Sequence, residues 1–133
     1  MPTPEQTEGP FFVDERLERS DIRGDARGGD LRPGVPLALT LRLSAMAGRG
    51  CEPLRGAAVD VWHCDATGLY SDEAALRTNG SQFLRGYQVS DENGSVHFAT
   101  IYPGAYRGRA VHIHFKVRVA PQGRGDAFTS QLY

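Results

Sequence analysis

Thiols are scarce in these 133 residues, and what there is does not cluster. Cys51 and Cys64 form no CxxC pair and have no second pair to join, which excludes a zinc ribbon and a disulfide framework. Two reduced thiols are the expected state. An H-E-x-x-H helix is also missing, and with it the zincin type of metal site. No apolar run approaches the ~20 residues of a membrane-crossing helix, so no membrane is expected as partner. A net charge of −1 gives no electrostatic reason to expect nucleic acid. The opening stretch Met1 to Pro10 has neither a basic n-region nor an apolar h-region, so the expected location is cytoplasmic.

The most informative segment runs from Arg109 to Val119. Val111, Ile113, Phe115, Val117 and Val119 alternate with His112, His114, Lys116 and Arg118. A period of two predicts a β-strand whose five apolar residues face a core. His112 and His114 then leave the opposite face together, about 6.6–7 Å apart along the strand. Two imidazoles on one rigid element suit a metal ion, although the same pair also reads as ordinary solvated surface. No Glu follows the second His closely enough for a cupin-type site. The remaining donors are carboxylates, His63, His97 and the tyrosines.

Residues 1–34 mix Pro, Gly and scattered charge, which predicts an irregular arm rather than a helix. Leu37, Leu39, Leu41 and Leu43 alternate with small or polar residues, a half-buried strand, and Gly48 to Arg55 reads as a polar loop. Further strands are expected over 57–63, 83–89, 95–101 and 128–133. Asp91 to Gly94 reads as a hairpin turn by its Asn-Gly. Residues 71–77 suit one or two helical turns with Ser71 as N-cap. The sum is one all-β domain over 1–133, an antiparallel β-sandwich with long irregular loops and little helix.

Two tyrosines lie where loops bring them to the His112/His114 face. Tyr70 ends the turn after the Trp62 strand, and Tyr106 sits in the Pro103-Gly104 turn that leads into the histidine strand. A phenol loses its proton, with pKa near 10, only to a hard and strongly Lewis-acidic ion such as Fe(III). Read alone, each tyrosine is better explained as a packing or surface residue, since buried Tyr is common and metal-bound Tyr rare.

Taken together, these motifs resemble the catalytic domain of the intradiol ring-cleavage dioxygenases, the family of protocatechuate 3,4-dioxygenase, catechol 1,2-dioxygenase and hydroxyquinol 1,2-dioxygenase. The resemblance runs through Thr3 to Phe12, Val59 to Ser71, Phe83 to Gln88, Thr100 to Tyr106 and Gly108 to His114, nearly the whole chain. It implies that Tyr70, Tyr106, His112 and His114 hold non-haem Fe(III), that Tyr106 leaves the metal on taking a substrate proton, and that Arg109 stabilises charge developing on the ring. It implies that Gln131 orients that Arg or the substrate. The implied partners are a catechol-type diol and O2, cleaved to a cis,cis-muconate-type diacid in aromatic catabolism. Gly104 and Gly108 would shape the turn that lets Tyr106 swing. Trp62 and Cys64 read as structural, and His63 and His97 as ordinary polar positions. Arg107-Gly108 stands where some protocatechuate enzymes carry a bulky aromatic, in which the chain is similar to compact members that accept many catechols. A homo-oligomer is compatible with so small a sandwich. The alternatives are a non-catalytic β-sandwich binding or assembly subunit and a His-rich zinc or copper hydrolase.

Overall fold

The computed structural model describes residues 3–25, 28, 30–48, 50–119 and 127–133. The chain builds β1 (Pro36–Arg42), β2 (Ser44–Ala47), β3 (Gly50–Pro53), β4 (Ala58–Trp62), β5 (Arg85–Val89), β6 (Ser95–Ile101), β7 (Ile113–Arg118) and β8 (Ala127–Leu132). Among the described residues a single 3-10 turn, Ala74–Leu76, interrupts the strands. One sheet has the order β5-β4-β7-β8, all antiparallel; β1 pairs with β6, and β2 with β3. The all-β antiparallel sandwich expected from the sequence is therefore present, with long loops and almost no helix. No helix among the described residues is long and apolar enough to cross a membrane.

Alternation in the sequence decides which side chains meet. Val59 and Val61 of β4 and Ile113, Phe115 and Val117 of β7 face Val96 and Phe98 of β6, with Leu37, Leu39 and Leu41 of β1 packed against them. That apolar layer is the core. The outer face of the four-stranded sheet is not left to water. All five residues of β4 are buried, Asp60 and Trp62 included. The arm lies along the edges of this sheet: Gln6 donates its N–H to Thr129 (2.8 Å), and Tyr87 donates to Leu17 (2.9 Å). It continues to β6, where Ile22 donates to Ala99 (3.0 Å). Otherwise open strand edges are thereby paired.

The register fixes one row across four strands. Trp62 stands opposite Arg85 on one side and His114 on the other, and His114 stands opposite Gln131. Ile113, Phe115 and Val117 of β7 point inward, so the row through His114 lies on the opposite, outer face, under the arm.

Several local expectations are corrected. Val111 and Val119 do not reach the core; they are 42% and 54% exposed, because the ladder with β4 runs only from Trp62↔His114 to Ala58↔Arg118. Gly48 to Arg55 is no plain loop, since Gly50–Pro53 pairs with Ser44–Ala47. Ser71 caps nothing: it is buried, donates its hydroxyl to Phe83 O (2.7 Å), and the short 3-10 turn starts after Glu73. The strand expected from Phe83 begins at Arg85. The Asp91–Gly94 turn forms, with Gly94 N donating to Asp91 O (2.9 Å), but the strands it joins pair with β4 and β1 rather than with each other.

Candidate metal centre

Each donor is delivered by a distinct piece of local structure. Asp65 accepts hydrogen bonds at one carboxylate oxygen from the N–H groups of Thr67 (2.9 Å) and Leu69 (3.0 Å), folding the turn that hands on Tyr70. The loop carrying Tyr106 leans on this turn through Gly104, whose N–H donates to Asp65 O (2.9 Å); a Cβ there would run into the Ala66 carbonyl. Arg109 N then donates to Tyr106 O (3.0 Å), closing a turn around Gly108, whose φ of +84° favours glycine. His114 is the second residue of β7, and His112 lies just before it.

These pieces bring four donor atoms to one point. Tyr70 Oη lies 3.2 Å from Tyr106 Oη, 3.4 Å from His112 Nε2 and 3.3 Å from His114 Nε2. Tyr106 Oη is 3.2 Å from His112 Nε2, and the two imidazole Nε2 atoms are 2.9 Å apart. Tyr70, His112 and His114 are buried and Tyr106 is half-buried. Donors that share a first-row metal at about 2.0–2.1 Å stand about 3.3 Å from one another in a tetrahedral arrangement, so these separations suit one small cation.

The proton inventory points the same way. His112 Nδ1 donates to Ala110 O (2.6 Å), so a neutral His112 turns an Nε2 lone pair toward the centre. Burial lowers the pKa of His112, and burial followed by His112 and Arg109 lowers that of His114 to about 3, so a second proton is not what holds the rings together. Tyr70 is raised well above the ordinary phenol range, first by burial and then by its hydrogen bond with Tyr106. Without a cation the phenol stays protonated. A hard trivalent ion is the partner that reverses that preference.

Around the donors the row across the sheet supplies support. Trp62 stacks on His114, ring centroids 5.0 Å apart and 9° from parallel. Gln131 accepts a hydrogen bond from Arg109 at Oε1 and donates from Nε2 to Thr7 O (2.9 Å). Arg85 is not available to a substrate carboxylate: it donates to Ser71 Oγ (3.0 Å), Ser71 O (2.9 Å) and Phe11 O (2.6 Å).

The sequence reading gave the arm no part in the site, yet the arm covers it. Phe11 stacks on Tyr70 (4.3 Å, 22°) and stands edge-on to Tyr106 (6.4 Å). Gly9 passes so close to His114 that a Cβ would lie 3.4 Å from its ring. Tyr133 is a further neighbour, its ring 6.3 Å from that of His112 and its hydroxyl 3.2 Å from Gln131 Oε1. The doubled aromatic Phe11-Phe12 in an otherwise polar arm was the available signal.

The other histidines and the buried thiol stand apart. His63 Nδ1 donates to Cys64 O (2.7 Å) and its Nε2 accepts from the Thr100 hydroxyl (2.7 Å), while burial lowers its pKa to about 4. His97 is exposed, 3.0 Å from Thr40 Oγ1. Burial and the nearby Asp65 push the Cys64 thiol up to about 11, leaving an inert side chain.

A β-sandwich whose outer face gathers two phenols and two imidazoles defines a class of protein with a cluster of tyrosine and histidine donors on one sheet face. The family follows from direct comparison. Residues 7–133 match the family model described as Dioxygenase, and the chain belongs to the intradiol ring-cleavage dioxygenase family. The intradiol ring-cleavage dioxygenase from Tetranychus urticae is 35% identical, with a TM-score of 0.80 over 98% of this chain and 63% of that one. The dioxygenase domain of a dioxygenase carbohydrate-binding protein fusion from Streptomyces sp. SirexAA-E is 36% identical, with a TM-score of 0.77 over 100% of this chain and 75% of that one. Chlorocatechol 1,2-dioxygenase of Pseudomonas putida is 28% identical over 95% of this chain, which spans 51% of that relative's length.

Proposed function

We propose that residues 1–133 form one catalytic unit that cleaves a catechol-type diol with O2, between the two hydroxyl-bearing carbons, to a cis,cis-muconate-type diacid. Family membership supports the reaction class, and the convergence of Tyr70, Tyr106, His112 and His114 on one point is the observation that carries the metal. These four residues would hold non-haem Fe(III). A ferric ion held by these residues would supply Lewis acidity toward the catechol hydroxyls and ring.

The chain's own residues do the rest. Tyr106, half-buried and carried on a loop with a Gly108 turn, is the phenol free to move aside and take a catechol proton at its Oη. Tyr70, clamped between Phe11 and the sheet, stays as a fixed donor. Arg109 presents a guanidinium, held by Gln131, to negative charge developing on the ring. Phe11 and Gly9 of the arm keep water from the inner side of the donors. A cytoplasmic role in aromatic catabolism fits this chemistry.

The test is spectroscopic and catalytic together. Iron-loaded protein should show the visible absorption of tyrosinate-to-Fe(III) charge transfer and consume O2 with catechol, protocatechuate, hydroxyquinol or a chlorocatechol. Tyr70→Phe should lose both. A preparation that stays colourless after iron loading would favour a non-catalytic binding or assembly module of the same fold. Unchanged metal content in Tyr70→Phe would favour a zinc or copper hydrolase held by the histidines.

A further inference from the structure

Two phenols meet at the donor cluster, and one aromatic residue of the arm treats them differently. The Phe11 ring lies face to face on Tyr70, centroids 4.3 Å apart and 22° from parallel, but stands at 85° to Tyr106 at 6.4 Å. Tyr70 also meets Tyr106 edge-on, at 5.7 Å and 73°. Tyr106, half-buried, can therefore turn aside by giving up edge contacts. Tyr70 is 1% exposed and would have to slide out of a stack.

The stack has an anchor of its own. Arg85, 2% exposed, donates from Nη1 to Phe11 O (2.6 Å), from Nη2 to Ser71 O (2.9 Å) and from Nε to Ser71 Oγ (3.0 Å). One planar guanidinium thus grips the backbone of Phe11 and that of the residue after Tyr70. Glu73 lies 3.5 Å from Nη2 and balances the charge. Thr78 Oγ1 adds a bond to Tyr70 O (2.7 Å), whereas the Tyr106 carbonyl is bonded within its own loop, by Arg109 N (3.0 Å). Burying a guanidinium is unfavourable unless its donors are paired, and here they go to the two segments that carry the stacked rings.

We propose that Phe11 and Arg85 are positioning residues that decide which phenol leaves the metal. Arg85 fixes the Phe11–Tyr70 stack, the stack keeps Tyr70 in place, and Tyr106 is left as the phenol that moves. The arm is then a working part of the site and not merely its cover. This inference rests on reading the four donors as ferric ligands.

The iron-loaded chain tests it. In Tyr106→Phe the one tyrosinate left at the metal is Tyr70, whose resonance Raman modes should persist when catechol is added without O2. In the Phe11→Leu/Tyr106→Phe protein those modes should fade on adding catechol, and a chelator should remove iron about 2–12-fold faster, the range that one stacked aromatic pair contributes. Phe12→Leu in the same background, which loses a contact with Trp62 rather than with Tyr70, should leave the Tyr70 modes in place. Phe11→Tyr, which keeps the stacked ring, should hold iron as its parent does. Persistent modes or an unchanged release rate after Phe11→Leu overturns the proposal. If Tyr106→Phe takes up no iron, or the double variant does not fold, a crystal structure of the wild-type protein with catechol and without O2 decides. Tyr70 still beneath Phe11, with Tyr106 turned away, supports the proposal, and a displaced Tyr70 overturns it. A wild-type protein that stays colourless after iron loading refutes the ferric reading itself; colour that forms but ignores Phe11 refutes this inference alone.

Discussion

Gln131 offers the sharpest test of how the site is held. Its amide is locked in one orientation, because Nε2 donates to the Thr7 carbonyl and Oε1 must then face Arg109 and Tyr133. Gln131→Leu keeps the volume and removes all three bonds. A hydrogen bond to a charged group contributes about 1.5–3 kcal/mol. If that is what aims the Arg109 guanidinium at the transition state, kcat should fall about 10–150-fold. The stranded Thr7 carbonyl should cost about 1–3 kcal/mol of stability, visible as a drop of several degrees in Tm. Gln131→Glu separates orientation from charge: it keeps an oxygen for Arg109 but sets a carboxylate against the Thr7 carbonyl and neutralises the guanidinium. Its kcat should fall too, with less loss of iron than any substitution of His114. The assay is O2 uptake with a saturating catechol, at measured iron content. A Gln131→Leu enzyme with full iron and kcat within about twofold of wild type would refute the reasoning.

Two further outcomes follow from burial and register. Asp60 is raised to about 6, chiefly by burial and against the pull of Arg118, so the native state binds its proton more tightly than the unfolded chain. Stability should therefore fall as pH rises from about 4 to about 6, by up to about 3 kcal/mol; Asp60→Asn should flatten Tm against pH in that window, and parallel curves for the two proteins would reject this. Val117 and Val119 look alike in the sequence, yet Val117→Ala should cost about 2 kcal/mol of core packing. Val119→Ser should stay within about 0.5 kcal/mol, both read by denaturant unfolding.

What was legible in the sequence was whatever is decided by neighbours along the chain. The alternation through β7 gave the strand and put both histidines on one face. Its ends were misjudged because they are set by where β4 stops, which no pattern in β7 contains. The β2–β3 pairing was hidden in a short polar stretch whose residues are mostly exposed, with no apolar alternation to announce it. Ser71 has the residue type of a cap, but Phe83 and Arg85, more than ten residues away, claim its hydroxyl. The Asn-Gly turn formed as its chemistry dictates, while the pairing of the flanking strands was decided by β4 and β1. The four donor positions came from resemblance rather than from periodicity, since only two of them sit in or beside a strand. The arm was read as irregular, and its described residues form no helix and no named strand. Its contacts with Tyr70, His114 and Gln131 span more than fifty residues each and left no local trace beyond Phe11-Phe12.

The rung that joins Arg85, Trp62, His114 and Gln131, one residue from every strand of the larger sheet, ties chemistry to architecture. Slipping β7 by a single position would drive a lysine into the oily interior and turn an imidazole away from its companions. A lineage carrying this arrangement has therefore little freedom to retune reactivity from within the strands. Novelty in what it accepts must come from the segments between them and from the leading arm, where lengthening or recolouring a wall leaves the rung untouched.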